Sequence, residues 1–361
     1  MKFKKTPKRI LLIATRQIGD VLLVTPLLRT LRMSWPKSRI YFLGFRGKCG
    51  ILEGNPDINQ IIEISERPDR AENSHLFRRI FRRYDLAITT QAGDRPHLYA
   101  FLAAPKRVGL VNSMGIQDLL KRWLCHRWVL LDNKNTHTVL QNLRLAEVLK
   151  LKKYYSVVPP TATNSLPIKM LPPWVVVHPH PMWRYKYWHQ QGWIDVIQHL
   201  LKKSLQVVIT GGPNDQEIQA CHEIAQRVNS QRVFNLSGQT YFPELSYLLS
   251  NAVAYVGPDT AVTHLAAACR CPVLAIYGPT NPIKWSPWPA DWKKEQNPFE
   301  HYQQPWQQHD NVLLLQGEGD CVPCHEEGCE RHRNSRSVCL ERLPSRRVIQ
   351  ALDHLLESRR N

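Results

Sequence analysis

Val256-Gly257-Pro258-Asp259-Thr260-Ala261-Val262-Thr263-His264-Leu265-Ala266-Ala267-Ala268 is the stretch that decides the fold. An apolar strand ends in Gly-Pro and gives way to a carboxylate, a hydroxyl and a helix of small apolar residues beginning at Asp259. In doubly wound sheets, ligands bind outside the carboxyl ends of strands, where such turns lie. The first helical turn leaves backbone N–H groups without intrahelical acceptors, so Thr260 and Ala261 offer an anion site, and the Thr260 hydroxyl adds a donor. Asp259 is poorly suited to phosphate and well suited to sugar hydroxyls. His264, on the same helix, reads either as a packed core histidine or as part of the site.

Working outward, the segment continues into an apolar strand, Val273–Tyr277, and then Gly278-Pro279-Thr280-Asn281-Pro282. Upstream, Trp174–Val177, Gln206–Thr210, Arg232–Leu236 and Val253–Val256 read as strands, with helices over Gly192–Lys203 and Asp215–Val228. The first half has the same alternation. Strands are expected at Ile10–Ala14, Arg39–Leu43, Gln60–Ile64, Asp85–Thr89 and Arg107–Val111, with helices over Val21–Leu31 and Thr136–Leu149. Pro26 either kinks the first of these helices or starts its regular part. Strands alternating with helices imply parallel sheets and an α/β class. Tyr154 to Pro173 has five prolines and no helical period, so it reads as a linker. The expected organisation is therefore a first α/β domain over 1–155, a linker over 156–173, a second α/β domain over 174–343 and a terminal segment over 344–361 carrying the amphipathic helix Ser345–Glu357. Asn281 to Gln308, rich in Trp, Pro and Gln, reads as irregular surface.

Length and composition agree: 361 residues suit two domains, and 43% hydrophobic with 22% charged residues is a globular balance. The net charge of +18 attracts polyanions, whether nucleic acid, an anionic membrane face or a phosphorylated glycolipid. The basic clusters are Lys2, Lys4, Lys5, Lys8 and Arg9, then Arg67, Arg70, Arg78, Arg79, Arg82 and Arg83; they read either as solvated faces or as attraction to anionic lipid or core phosphate. The apolar run after the basic start, Ile10–Ala14, is too short for a secretory signal or a membrane span, so a soluble cytoplasmic chain with reduced cysteines is expected.

Three further turns follow strands. Arg16-Gln17-Ile18-Gly19-Asp20 opens a helix; Gly19 permits a tight turn with positive φ, and Asp20 is either a working carboxylate or a helix N-cap. No G-x-G-x-x-G is present, which argues against a nicotinamide site. His178-Pro179-His180-Pro181-Met182-Trp183-Arg184-Tyr185-Lys186-Tyr187-Trp188 places Arg184 and Lys186 among aromatic rings, where cations can meet a phosphate. In Gly211-Gly212-Pro213-Asn214-Asp215-Gln216-Glu217, Asp215 or Glu217 could accept from ribose hydroxyls, or could cap the helix. Late in the chain, Cys321, Cys324, Cys329 and Cys339 have spacing that suggests a structural Zn site; a disulfide or free thiols are the alternatives. No Asp-x-Asp motif points to a catalytic metal.

Taken in order, Gly19-Asp20-Val21-Leu22 with Thr25-Pro26, His178-Pro179 with Lys186 and Trp188, Asp259-Thr260 with His264-Leu265-Ala266, and Tyr277-Gly278-Pro279-Thr280 resemble glycosyltransferase family 9, the lipopolysaccharide heptosyltransferases, over roughly residues 8 to 290. Trp285–Trp288 and the late cysteines resemble the heptosyltransferase III subgroup. The resemblance implies a GT-B fold, two Rossmann-like domains facing across a cleft, with the acceptor on the first and the sugar nucleotide on the second. The final helix is expected to pack back on the N-terminal domain. It further implies ADP-heptose as donor, a heptose of the lipopolysaccharide inner core on lipid A as acceptor, inverting chemistry without a catalytic cofactor, and a place on the cytoplasmic face of an anionic inner membrane. By this resemblance Asp20 matches the catalytic base, with Arg16 and Gly19 of its turn near the acceptor. Lys186, with Arg184 beside it, matches the grip on the diphosphate; Thr260 and Ala261 match helix-start contacts to phosphate; Asp259 matches a contact to heptose hydroxyls, with His264 following. Asp215 or Glu217 matches the acid on ribose, and Thr240 lies near the expected adenine pocket. Many members have Gly in place of Ala261 and a small residue in place of His180. A transferase of type I or II, another sugar transfer, and a basic nucleic-acid-binding protein are the rival readings; the last lacks any RNP, KH, zinc-finger or helix-turn-helix signature.

Overall fold

The computed structural model describes residues 6–168, 170 and 172–358, so Lys2, Lys4 and Lys5 of the first basic cluster lie outside the described residues. The chain divides into two units, one comprising 1–160 with 293–296 and the other 161–292 with 297–361.

The first unit is built on β1 (Arg9–Ile13), β2 (Arg39–Phe45), β3 (Gln60–Ile64), β4 (Leu86–Thr89), β5 (Lys106–Val111) and β6 (Arg127–Leu130). They form one sheet in the order β3-β2-β1-β4-β5-β6, every pair parallel. This is the Rossmann order, whose reversal point lies between β1 and β4. Covered on both faces, the central strands read as unbroken apolar runs; Ile10 to Ile13 and Leu86 to Ile88 are fully buried. Sequence reading expected one helix after β1; the chain forms two, Ile18–Leu22 and Thr25–Ser34. Pro26 sits in the first turn of the second, where its missing N–H removes no hydrogen bond. Three helices in this unit, Arg70–Ile80, Asp94–Ala103 and Leu119–Leu124, together with strand β6, are not among the elements expected from the sequence.

The second unit holds β7 (Trp174–Val177), β8 (Gln206–Ile209), β9 (Val233–Asn235), β10 (Ala254–Pro258), β11 (Val273–Tyr277), β12 (Gln307–His309) and β13 (Val312–Gln316). Their order is β12-β13-β11-β10-β7-β8-β9, the same Rossmann order with β13 as its sixth strand, extended by the antiparallel edge strand β12. The stretch 281–308, expected to be irregular, contains the short helix Pro282–Trp285 and β12.

The terminal helix Ser345–Glu357 packs into the second unit. Val348, Ala351, Leu352 and Leu355, spaced i, i+3, i+4, i+7, are buried in the core of the second unit beside Val196, Leu200, Ile276 and Leu313. Asp353 on this helix meets His199 at 2.8 Å and Lys203 at 3.1 Å, both at the end of helix Gln190–Lys202. The apolar stripe is thus buried in the core of the second unit. No helix among the described residues is long and apolar enough to cross a membrane.

Candidate active site

In the first unit, the loop after β1 is fixed before Asp20 is reached. Gln91, beyond the end of β4, accepts from the Thr15 N–H (2.8 Å) and hydroxyl (2.7 Å), and its amide donates back to the Thr15 carbonyl (2.9 Å). Helix Ile18–Leu22 then starts with Gln17 as its N-cap. Asp20 is the third helical residue, so it is not the cap that sequence reading allowed it to be. Its Oδ1 accepts from Arg16 Nε (3.2 Å) and Nη2 (3.1 Å), a charge-assisted pair that leaves Arg16 about half exposed. Gly19 lies inside the helix and not in the left-handed region, so its expected positive φ is not used. Arg16 and Asp20 therefore come together.

In the second unit, Lys186 and Asp259 arrive from different loops. Lys186 ends the tight turn Arg184–Lys186 after β7, held by Lys186 N–H to Trp183 O (3.0 Å) and by the Ser337 hydroxyl, which donates to Tyr185 O (2.6 Å). Asp259 follows β10. The Lys186 ammonium stands 2.6 Å from Asp259 Oδ2, and His264 Nε2 is 4.0 Å from Oδ1. The Tyr277 hydroxyl donates to the Trp285 carbonyl (2.7 Å) and stands 3.4 Å from Asp259 Oδ1. Asp259 is only 7% exposed. Burial pushes its carboxyl up, but the Lys186 and His264 charges and the hydrogen bonds from Lys186 and Thr280 prevail, holding it below the usual carboxylate value.

The helix expected to begin at Asp259 begins at Ala261, because the Thr260 hydroxyl caps it by accepting from Thr263 N–H (3.4 Å). That hydroxyl is thus partly spent on the helix rather than free for an anion. The ladder first uses the His264 N–H, bonded to Thr260 O at 3.3 Å. The N–H groups of Ala261 and Val262 remain pointed out of the helix start, two and three residues from Asp259. Before the turn, Gly257 is required: a Cβ there would collide with the Tyr255 ring, which is locked by a 2.9 Å bond between its hydroxyl and Thr263.

The remaining expected residues separate. Arg184 is exposed and lines a pocket with His180, Tyr187, Trp188 and Arg336; neither Lys186 nor Asp259 lines it. Glu217 turns back to accept from the Gly212 N–H (2.8 Å), and burial raises its carboxyl against that bond. Asp215 is exposed at the start of helix Asp215–Val228, where Asn214 is the cap. Thr240 is half-buried in the turn before helix Phe242–Ser250. His178 is buried, with its Nδ1 3.0 Å from the Thr210 hydroxyl; burial, with the nearby His180, lowers its pKa to about 4. The sequence reading missed Tyr277 and Thr280 as partners of Asp259. The available signal was their position at and just after the carboxyl end of β11, the neighbour of β10.

The zinc expectation is corrected. Among the described residues no group of three or more His, Cys, Asp or Glu is placed to hold a metal ion. Cys339 is buried while Cys321 and Cys329 are exposed. Burial, and then the neighbouring Cys324, Cys321 and Cys329, push the Cys339 thiol up to about 12.

The pattern of glycosyltransferase family 9 (heptosyltransferase) matches residues 74–315. Lipopolysaccharide heptosyltransferase 3 of Escherichia coli (strain K12) is 29% identical over 289 residues, which cover 76% of this chain and 83% of that protein. The crystal structure of a family 9 glycosyl transferase from Veillonella parvula DSM 2008 matches with a TM-score of 0.76 at 17% identity, covering 97% of each chain. The E. coli heptosyltransferase WaaC, solved with ADP, matches with a TM-score of 0.71 at 18% identity, covering 96% of this chain and 99% of that one. WaaC solved with ADP-2-deoxy-2-fluoro heptose gives 0.69 at 19% identity, with the same coverage. At these identities the structural likeness concerns the fold, which is GT-B.

Proposed function

The chain belongs to glycosyltransferase family 9 (heptosyltransferase), and from that membership we propose that it transfers L-glycero-D-manno-heptose from ADP-heptose to a heptose of the lipopolysaccharide inner core, as a type III, side-branch enzyme working at the cytoplasmic face of the inner membrane. The observation that carries this reading is the Lys186–Asp259 pair beside the start of helix Ala261–Ala268. It sets a cation, a carboxylate and unbonded helix-start N–H groups at the carboxyl ends of neighbouring strands, the groups a sugar diphosphate needs. The resemblance to a relative named heptosyltransferase 3 supports the subtype, and WaaC's complexes with ADP and a fluoro-heptose analogue support the donor.

In this mechanism the acceptor hydroxyl attacks the anomeric carbon from the side opposite the departing diphosphate, inverting its configuration. Asp20 takes the hydroxyl proton as the new bond forms, and Arg16 steadies its carboxylate. Positive charge grows at the anomeric carbon while negative charge collects on ADP. Lys186 and the Ala261 and Val262 N–H groups meet that negative charge. Asp259, freed as Lys186 turns to phosphate, accepts from the heptose hydroxyls, and Glu217 accepts from the ribose.

The test is a transfer assay on core oligosaccharide lacking its side-branch heptose. With ADP-heptose the expected result is release of ADP and a gain of one heptose by mass spectrometry. Transfer from a UDP- or GDP-sugar instead, or no transfer to any heptose of the core, would overturn the reading. Transfer to a core that lacks all heptose would shift it to another member of the same family.

A further inference from the structure

Residues 113–124 of the first unit form an amphipathic element turned inside out. A short 3-10 turn, Ile116–Asp118, leads into helix Leu119–Leu124, in which no residue is buried. Ile116, Leu119, Leu120 and Trp123 follow the i, i+3, i+4, i+7 spacing that marks one helix face. In a globular domain that face turns to the core; here Ile116 is 89% exposed, Trp123 73% and Leu120 64%. Met114 and Leu119 are exposed beside them.

The polar side is what faces the protein. Asp118 is buried and accepts from the Ser113 N–H (2.8 Å) and from Lys121 (2.7 Å). Lys121 also pairs with Asp94 at 3.0 Å, and Arg122 donates to the carbonyls of Ser113 (2.9 Å) and Gly115 (3.0 Å). A six-residue helix cannot hold itself together in water, so these bonds fix the element with its apolar stripe outward. Isolated exposed apolar residues are ordinary, but a contiguous stripe of this kind marks an interaction surface.

The surroundings choose the partner. Arg107 donates to the Leu124 carbonyl at the end of the helix, and both Arg107 and Arg82 lie over the Phe101 ring. Arg127 is exposed four residues beyond Trp123, and burial, then the charges of Arg107, Lys106 and Arg127, lower the pKa of His126. Asp94 and Asp118 both pair with Lys121. An apolar ridge with a basic rim, on a chain of net charge +18, complements an anionic lipid surface and repels a second copy of itself.

We propose that Ile116, Leu119, Leu120 and Trp123 form a ridge that inserts into the interfacial layer of an anionic bilayer, with Lys106 and Arg127 meeting the lipid phosphates. The element is far shorter than the roughly 20 residues a span requires, so it lies at the headgroup boundary rather than crossing. Tryptophan suits that layer, with an apolar ring and a polar N–H. This deepens the membrane-surface part of the function proposed above by naming the face that docks.

The test is co-sedimentation of the full chain with phosphatidylethanolamine–phosphatidylglycerol vesicles and with phosphatidylcholine vesicles, followed also by tryptophan fluorescence. Binding to the anionic vesicles is expected, weakened by salt and much lower on the neutral ones. The double variant L120S/W123S, which alters only exposed side chains, should lower the anionic partition coefficient by roughly tenfold or more. K106E/R127E should abolish the preference for anionic lipid. ADP-induced thermal stabilisation, unchanged in both, verifies folding. Undiminished vesicle binding by L120S/W123S overturns the proposal, as does equal binding to neutral and anionic lipid. A concentration-dependent dimer that L120S/W123S dissolves, without vesicle binding, also overturns it and makes the ridge a self-interface. Transfer to a water-soluble core oligosaccharide separates the two readings: it should persist in L120S/W123S, and its absence in the unmodified chain strikes the transferase reading alone.

Discussion

Replacing Lys186 by Met keeps the aliphatic stem and removes the ammonium 2.6 Å from Asp259. Asp259 is then a carboxylate 7% exposed without its cation. Stranding one member of a fully buried pair costs about 3–5 kcal/mol. Here the loss is smaller, because Lys186 is itself 18% exposed and Asp259 keeps its contacts with Tyr277 and Thr280. About 2 kcal/mol is expected, which for a unit of this size lowers its Tm by about 4–8 °C. Asp259→Asn should cost less, about 1 kcal/mol, because the freed lysine can turn its ammonium to water. In K186M/D259N no stranded charge remains, so the double variant should be about as stable as D259N alone. That non-additivity is the signature of a direct pair.

The pH dependence carries an independent sign. In the unaltered protein the Asp259 carboxyl is held low, so its contribution is present above its unfolded value and is lost as pH falls through the folded one. Without Lys186, burial acts with less opposition and the folded value rises. The stability deficit of K186M should therefore shrink as the buffer is taken from pH 7 toward 4, as the carboxyl protonates. Urea unfolding followed by tryptophan fluorescence, on all four proteins and at both pH values, measures this. Turnover of K186M should fall by about 10²–10³-fold through lost stabilisation of the leaving diphosphate. If K186M loses less than about 0.5 kcal/mol, or if the two single losses simply add, the pair is not the electrostatic centre of the site and the reasoning fails.

Two further outcomes follow from the same geometry. Asp20→Asn should lower turnover by about 10²–10⁴-fold while leaving ADP-induced thermal stabilisation intact; loss of both would make the Arg16–Asp20 pair a structural element of the first unit. His178, buried beside Thr210 with its pKa lowered to about 4, binds its proton more readily unfolded than folded. Its stabilising contribution is complete above pH 6.5 and falls away toward pH 4, by about 3 kcal/mol at most. Thermal melts across that range should be flatter for His178→Gln, and an unchanged slope would refute the assignment.

Much of the fold was legible because parallel, doubly covered strands are written as short apolar runs between turns. Gln60–Ile64, Trp174–Val177 and Val273–Tyr277 lie where the sequence puts them. Strand β13, VLLLQ, is the same kind of run, hidden by the Trp- and Pro-rich stretch before it. Strand β6 at the sheet edge is only half covered and leaves no such run. In the site, Lys186 and Asp259 each stood out as a charge after a strand, but a sequence records neither a 2.6 Å distance between separate loops nor which partner wins a pKa contest. Asp20 shows the limit at the shortest range: cap or working carboxylate was undecidable until Gln17 was found to occupy the cap. The late cysteines show it at longer range, since favourable spacing did not bring their thiols into a metal-holding group among the described residues.

Two helices make the general point. Val348, Ala351, Leu352 and Leu355 have the same i, i+3, i+4, i+7 spacing as Ile116, Leu119, Leu120 and Trp123, so periodicity treats the two alike. The first set is buried and the second exposed. What separates them is the opposite face. In helix Ser345–Glu357 the exposed Arg346 and Gln350 leave the apolar stripe as the side that must find cover, and the second unit supplies it. Around 116–124 the polar face is committed inward through Asp118, Lys121 and Arg122, and those bonds hold the stripe away from the core. Periodicity identifies a face; the fate of the charges on the other side decides whether that face is core or a surface awaiting a partner.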